Sequence, residues 1–330
     1  MPVSCRHLLL LGWLLGALLL ASPAWSQQAQ NAPPPPPASG PSPEDFVKIG
    51  NQKAMTGDLA GALTSFDQAL QIDPRWVPAL ERKGQVLVRQ RNYEDAIKIL
   101  DQAVQIDPNY ADSWYYRGLA NAALARFDEA VADFSQVISL NDSYAPAYLG
   151  RGKVLFFKSD FSGTVADTTR MIKVNPQQLD SYYYRGLAAL ALNNASDAEA
   201  DFQHCADAGV AYGAFWLWIT EMENGQKDQA RKKLSDFQDK HKAPPKSWTR
   251  SVGEFLLKKI KQEEFLNRAD KTDPLSTEPC EAWFFIGINK RLAGDATGAR
   301  DAFQKSISTG STASVEYAEA QIELTKLPGE

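Results

Sequence analysis

The chain has 330 residues, 44% apolar and 23% charged, which is enough apolar content for a sizeable core and too much for disorder throughout. Its formal charge of −5 comes without a dense basic patch, which argues against nucleic acid or an anionic membrane surface as the partner. Two short cationic runs, Arg231-Lys232-Lys233 and Lys258-Lys259 with Lys261, read as solvated helix faces.

The first element is an apolar run of about 14 residues after Arg6, short for a membrane span and suited to a secretory signal. Ala24 and Ser26 supply small residues for cleavage after Ser26 or, alternatively, after Ala24; a retained anchor is the rival reading. Loss of residues 1–26 removes Arg6 and no acid, moving the charge from −5 to −6. Cys5 precedes the run, so it is not placed as a lipoprotein cysteine. These features predict export, most simply to a periplasm, with no integral membrane span after cleavage. Residues 27–42 contain Pro33–Pro37 and Pro41, an extended tether or, as the rival, a proline-motif ligand.

From Pro43 to Tyr212 one 34-residue pattern is written five times, starting at Pro43, Val77, Ala111, Ala145 and Leu179. Position 8 is Gly50, Gly84, Gly118, Gly152 and Gly186; position 20 is Ala62, Ala96, Ala130, Thr164 and Ala198. Large side chains recur at position 4 (Phe46, Leu80, Trp114, Tyr148, Tyr182), between the helices of a repeat. Position 24 (Phe66, Leu100, Phe134, Thr168, Phe202) packs on the next repeat. Pro74, Pro108 and Pro176 at position 32 are expected to stop the second helix, with Asp142 replacing the proline in one repeat. This period and content resemble the tetratricopeptide repeat, an antiparallel helix pair that buries its apolar face only by stacking. The resemblance implies an all-α tetratricopeptide-repeat superhelix, a right-handed α-solenoid of helix pairs ending in a capping helix.

Arginine at position 7 (Arg117, Arg151, Arg185) occurs only in the repeats with aspartate at position 23 (Asp133, Asp167, Asp201). That co-occurrence predicts an ion pair joining helices A and B, of ~1 kcal/mol or less if exposed. Positions 5 and 9 are expected to line the concave groove: Val47, Asn51, Glu81, Gln85, Tyr115, Leu119, Leu149, Lys153, Tyr183 and Leu187. Of the carboxylate clamp in chaperone-binding arrays, only Asn51 fits. The groove instead suits an extended or helical peptide, with Tyr115 and Tyr183 as anchors. Packing of these residues on a neighbouring subunit or on the chain's own tail is the alternative.

Beyond Tyr212 the beat slips. Residues 213–279 read as a degenerate sixth repeat, with Trp218 at position 8, followed by helices from Trp248 to about Ile260 and over Glu263–Ala269. Residues 280–330 hold a last repeat (Trp283, Gly287, Gly294, Ala299, Phe303) and a capping helix over Ser314–Leu327. Phe215-Trp216-Leu217-Trp218, Trp248 with Phe255, Cys280–Gly287 and Glu316, Ala320, Glu323 and Leu324 resemble, in order and spacing, the periplasmic lipoproteins of the NlpI type. That resemblance implies a non-enzymatic, homodimeric adaptor presenting peptidoglycan hydrolases to an envelope protease, although the lipid-bearing cysteine is missing here.

No metal, phosphate or nucleophile motif is present, and no cofactor is expected. His204 and Cys205 are neighbours on a helix and point about 100° apart, which disfavours a catalytic pair. A Cys205–Cys280 disulfide is allowed by an oxidising compartment and opposed by their separation in different repeats. The sequence thus reads as a protein-binding scaffold of the cell envelope, or alternatively a structural assembly subunit of an outer-membrane or secretion complex.

Overall fold

The computed structural model describes residues 40–244, 246–269, 273, 276–312 and 314–328. The expected signal, most of the tether and part of the 272–279 loop lie outside the described residues. The chain divides into residues 1–42 and Pro43–Glu330, and the architecture below is that of the second unit. Among the described residues it is all-α, as the repeat pattern requires.

Five antiparallel pairs follow in order: α1 (Pro43–Met55) with α2 (Leu59–Ile72), α3 (Val77–Arg89) with α4 (Tyr93–Ile106), and α5 (Ala111–Ala123) with α6 (Phe127–Leu140). Then come α7 (Ala145–Phe157) with α8 (Phe161–Val174), and α9 (Leu179–Ala191) with α10 (Ala195–Asp207). Asp58, Asp160 and Asn194 cap their B helices by accepting a backbone N–H from the first turn. Consecutive A helices (α1 with α3, α3 with α5, α5 with α7, α7 with α9) touch along the array, and successive B helices make far less contact. The A helices therefore form the inner face.

The position-8 glycines let the two helices of a pair close up. A Cβ on Gly84 would stand 2.5 Å from Leu100 Cγ, and one on Gly186 would stand 2.7 Å from Phe202 Cε1. Position 24 serves two contacts at once, since the Phe134 ring covers both Gly118 of its own repeat and Gly150 of the next. The position-20 residues are fully buried in all five repeats.

Helix B does not depend on proline for its end. α6 ends at Leu140, the same repeat position as α2, α4 and α8, although Asp142 stands in place of proline. The residue before it is responsible: Asp73, Asp107, Asn141 and Asn175 each accept the backbone N–H two residues on.

The arginine–aspartate pairs form, and each does more than the sequence implied. Arg117, Arg151 and Arg185 grip Asp133, Asp167 and Asp201 through two guanidinium nitrogens, with closest approaches of 2.6, 2.7 and 2.7 Å. The remaining Nη1 donates to helix B of the preceding repeat, to Asp101 (2.6 Å), Ser135 (3.0 Å) and Thr169 (3.4 Å). Each guanidinium also lies over the position-4 ring, 4.6 Å from Trp114, 5.9 Å from Tyr148 and 5.5 Å from Tyr182. Position 4 in these repeats is thus a half-buried platform for the arginine. Lys83, at the same position of repeat two, keeps the inter-repeat half of the device with Asp67 (2.6 Å).

After α10 the array changes character. α11 (Ala211–Glu223) and α12 (Lys227–Lys240) form the sixth pair, and every residue from Gly213 to Glu221 is buried. Position 23 here is Lys233, which contacts Gln203 of the preceding repeat (2.8 Å) and the buried Glu221 (2.5 Å), so it is not the solvated cation expected from its run. α13 (Trp248–Leu256) ends before the expected Ile260, because Lys258 turns to φ +59° and Lys259 N–H closes onto Glu254 O. α14 (Gln262–Arg268), α15 (Glu278–Leu292), α16 (Ala296–Ser308) and the capping helix α17 (Val315–Lys326) complete the unit. One core cluster runs from Phe156 through Trp216 and Phe284 to Leu327, joining the array to this module.

Asp133, Asp167 and Asp201 are 2%, 6% and 4% exposed, so these ion pairs are more costly to break than surface ones. Burial lifts the Asp133 carboxyl above its ordinary range even with Arg117 and Asn121 donating to it. Arg117→Ala is therefore expected to cost ~3 kcal/mol, from an orphaned buried carboxylate, and Arg117→Ala with Asp133→Ala to recover part of that loss. Thermal unfolding followed by circular dichroism tests this; a shift for Arg117→Ala no larger than that of the exposed Lys98→Ala contradicts it.

Candidate functional site

The inner face of repeats two to four is a surface of tyrosines held by bonds between adjacent A helices. Gln85 on α3 donates to the Tyr116 hydroxyl on α5, and Arg82 Nη1 donates to Gln85 Oε1 at 3.0 Å. Tyr144, just before α7, donates to Asp112 Oδ1 on α5 at 2.7 Å. Tyr115 sits among them, with ring centroids 5.3 Å from Tyr144, 5.4 Å from Tyr116 and 5.9 Å from Phe134. Further along, Lys153 on α7 pairs with Asp180 on α9 at 2.5 Å and lies 5.2 Å above the Tyr184 ring. Burial lifts the Tyr116 hydroxyl to about 12, so it is neutral and available as a donor.

The residues expected to line a groove divide into two sets. Asn51, Gln85, Tyr115, Leu119 and Lys153 are partly accessible on this face. Val47, Glu81, Leu149 and Leu187 are buried, at 8%, 0%, 9% and 0% exposure. Tyr183 is also not a free anchor: its hydroxyl accepts from Trp216 Nε1 at 3.1 Å, and its ring packs into the core shared with the C-terminal module. Burial, then Glu316, raises its hydroxyl well above the ordinary range. Period-based reasoning places positions 5 and 9 correctly on helix A. It does not foresee that the C-terminal module covers the last repeat.

Sequence reasoning also missed the partners that hold this face. Asp112 and Asp180 share position 2, Tyr116 and Tyr184 share position 6, and Tyr110 and Tyr144 share position 34. That recurrence was the available signal.

Glu81 is the one groove acid wholly inside. Neither oxygen accepts a hydrogen bond, Arg82 Nε stands 3.1 Å from Oε2, and burial raises its carboxyl to about 7 against the opposing pull of Arg82.

At the C-terminal end a cavity of about 340 Å³ lies between α9, α11, α15 and α17, lined by Leu179, Asp180, Tyr183, Val210, Tyr212, Glu281, Val315 and Glu316. Behind it α17 turns Glu316, Glu319 and Glu323 inward, at 4%, 3% and 2% exposure. Glu323 pairs with Arg291 (2.6 Å) and Lys326 (2.7 Å), whereas Glu319 Oε1 has no partner. Burial raises the Glu319 carboxyl to about 8, with Glu323, Glu316 and Glu223 adding to the shift and Lys326 opposing it.

The His204–Cys205 pair is not a catalytic dyad. The exposed His204 ring stacks on Tyr182 at 4.1 Å, while the buried Cys205 thiol points to Leu179 O at 3.6 Å and is pushed up to about 12 by burial. The disulfide left open by the sequence does not form: Cys205 and Cys280 are free thiols with separate partners, Cys280 lying 3.2 Å from Ser306 Oγ. Among the described residues no three His, Cys, Asp or Glu side chains are placed to hold a metal, and no helix is long and apolar enough to cross a membrane.

Residues 81–148 match the family model of the tetratricopeptide repeat. No curated protein matches the chain. Among solved structures, one of MamA is 27% identical over 47% of this chain and 91% of that one, with a TM-score of 0.44. YrrB, described as a tetratricopeptide repeat protein with an unusual peptide-binding site, is 20% identical over 49% of this chain and 84% of its own, with a TM-score of 0.44. A tetratricopeptide repeat protein from Parabacteroides merdae is 16% identical over 87% of this chain and 100% of its own, with a TM-score of 0.48.

The raised carboxyl of Glu319 has a thermodynamic consequence. A group whose folded value lies above its unfolded 4.5 takes up a proton on folding, so its contribution is full below pH ~4.5 and lost as pH rises through about 8. Glu319→Gln is expected to match the wild type near pH 4.5 and to melt at least ~3 °C higher at pH 8.5. Parallel melting curves for the two proteins across that range would contradict this.

Proposed function

We propose that this chain is a non-catalytic protein-binding scaffold of the bacterial cell envelope, holding a segment of a partner protein on the inner face of repeats two to four. The observation that carries the reading is the tyrosine surface around Tyr115. Its rings are rigid and amphipathic, and Gln85, Asp112 and the neighbouring helices hold them in place before any partner arrives, so little ordering entropy remains to be lost on binding. The half-buried Leu119 adds an apolar contact, Gln85 and Lys153 supply a polar rim, and Asn51 extends the polar face into repeat one.

Placement in the envelope is supported by the signal-like run and the proline-rich tether of the sequence. The resemblance of the C-terminal third to the NlpI type supports an envelope protease and peptidoglycan hydrolases as the partners and a homodimer as the working form.

The test is photocrosslinking in the producing cell, with benzoylphenylalanine at Leu119 or Lys153 on the inner face and at Lys98 or Ser139 on B helices. The reading expects one partner polypeptide to crosslink from both inner positions and from neither outer one, and Tyr115→Ala to reduce the yield at least ~10-fold. Equal yields from both faces, or inner-face crosslinks only to a second copy of this chain, would overturn it.

A further inference from the structure

Position 5 is apolar or aromatic in four of the five regular repeats (Val47, Tyr115, Leu149, Tyr183) and is Glu81 in repeat two. That side chain is 0% exposed, and neither carboxylate oxygen accepts a hydrogen bond. Valine or leucine would fill the site without the cost of burying a charge, so the reason for the acid lies in what it touches. It touches Arg82, whose Nε stands 3.1 Å from Oε2 and is held there by charge rather than by an aligned hydrogen bond.

From Arg82 a relay of contacts leads to the tyrosine surface. Arg82 Nη1 donates to Gln85 Oε1 at 3.0 Å, and Gln85 Nε2 donates to the Tyr116 hydroxyl oxygen. The Tyr116 ring meets Tyr115 edge-on at 5.4 Å. A primary amide can turn either end toward a phenol, and Arg82 decides which, because a guanidinium has only donors and accepts nothing from an amide N–H. With Nε2 toward it, Tyr116 receives a hydrogen bond and keeps its own O–H for another acceptor.

Building on the scaffold reading, we propose that Glu81 is a positioning residue of the inner face: by holding Arg82 it orients the Gln85 amide, so that Tyr116 offers its O–H to a backbone carbonyl of the partner segment. An extended segment carries unpaired carbonyls along its length, so this contact recognises main chain rather than one side chain. Neutralising Glu81 releases Arg82. The amide is then free to turn, Gln85 Oε1 takes the Tyr116 proton, and the donor is withdrawn from the partner.

Burial raises the Glu81 carboxyl to about 7, with Arg82 opposing and Asp112 adding to the shift. The groups facing it are Arg82 on its own helix, Asp112 and Tyr116 on α5, and Tyr110 just before α5; α1 and α4 add no charge that acts on it. The donor is therefore offered above pH ~7 and withdrawn below it. A raised carboxyl contributes its stability fully below pH ~4.5 and loses it as pH rises through about 7, so the offering form is the less stable one.

The Cζ carbon resonance of Tyr116 reports whether its hydroxyl gives or receives a hydrogen bond. It is read in the full chain carrying tyrosine enriched in carbon-13 at Cζ, assigned through Tyr116→Phe and titrated from about pH 5.5 to about pH 8.5. The expected result is one transition with its midpoint near 7, absent in Glu81→Gln and in Arg82→Met. Tyr148, which packs on Arg151 and Arg170, should stay flat throughout. Arg82 is 34% exposed, so Arg82→Met serves if Glu81→Gln does not fold. A merely structural role would offset the Tyr116 resonance at every pH without giving it a midpoint. That result, or a transition retained in either variant, overturns the proposal. In the producing cell, Tyr116→Phe should lower the crosslink yield from Leu119 about threefold or more, and an unchanged yield contradicts the offered donor. The titration needs no partner, so if nothing crosslinks at Leu119 the scaffold reading fails while the resonance still decides the orientation.

Discussion

The close approach of helix A to helix B is the constraint on which the rest of this structure depends. It is set where a glycine at position 8 meets a large side chain at position 24, and where a fully buried small residue at position 20 leaves room for both. Because the Phe134 ring touches glycines in two successive repeats, the contact that closes one pair also seats the next. Stacking therefore propagates from neighbour to neighbour, as a quasi-one-dimensional array requires. Where Trp218 replaces glycine, α11 becomes the buried centre of a module with α13 and α15, tied back to α9 by the Trp216–Tyr183 hydrogen bond.

With the helices this close, the charged pairs gain their geometry. An arginine on α5, α7 or α9 reaches the aspartate opposite and an acceptor one repeat back, and lies over an aromatic ring. This is a three-helix tie that sets register more than it adds net stability, since burial already costs Asp133 much of what Arg117 returns. The sixth pair keeps the tie with the cation moved to helix B, where Lys233 joins Glu221 and Gln203.

Much of this was legible because a repeat states each requirement several times. Glycine, alanine and the large residue recur at fixed positions, and arginine with aspartate recur together. The inter-repeat acceptors were not legible, because Asp101, Ser135 and Thr169 are three different residues performing one task. Proline was credited with ending helix B, yet α6 ends without it because Asn141 turns the chain. Positions 5 and 9 lie on helix A, but four of the ten residues there are buried, and half-buried Tyr183 is held by Trp216 and the C-terminal module, which no local period encodes. The glutamates of α17 were visible only as a helical pattern; their inward direction is a tertiary fact.

The most direct test of the close-approach claim uses two glycines at the same repeat position. A Cβ on Gly84 would stand 2.5 Å from Leu100, whereas one on Gly152 would meet Asp167 and the smaller Thr168 at 3.3 Å. Melting temperatures of Gly84→Ala and Gly152→Ala should therefore diverge. The first is expected to lose ~1–3 kcal/mol to overpacking, and the second to stay near the wild type or gain from alanine's better helix propensity. Equal destabilisation of the two variants, or a Gly84→Ala protein as stable as the wild type, would contradict the account.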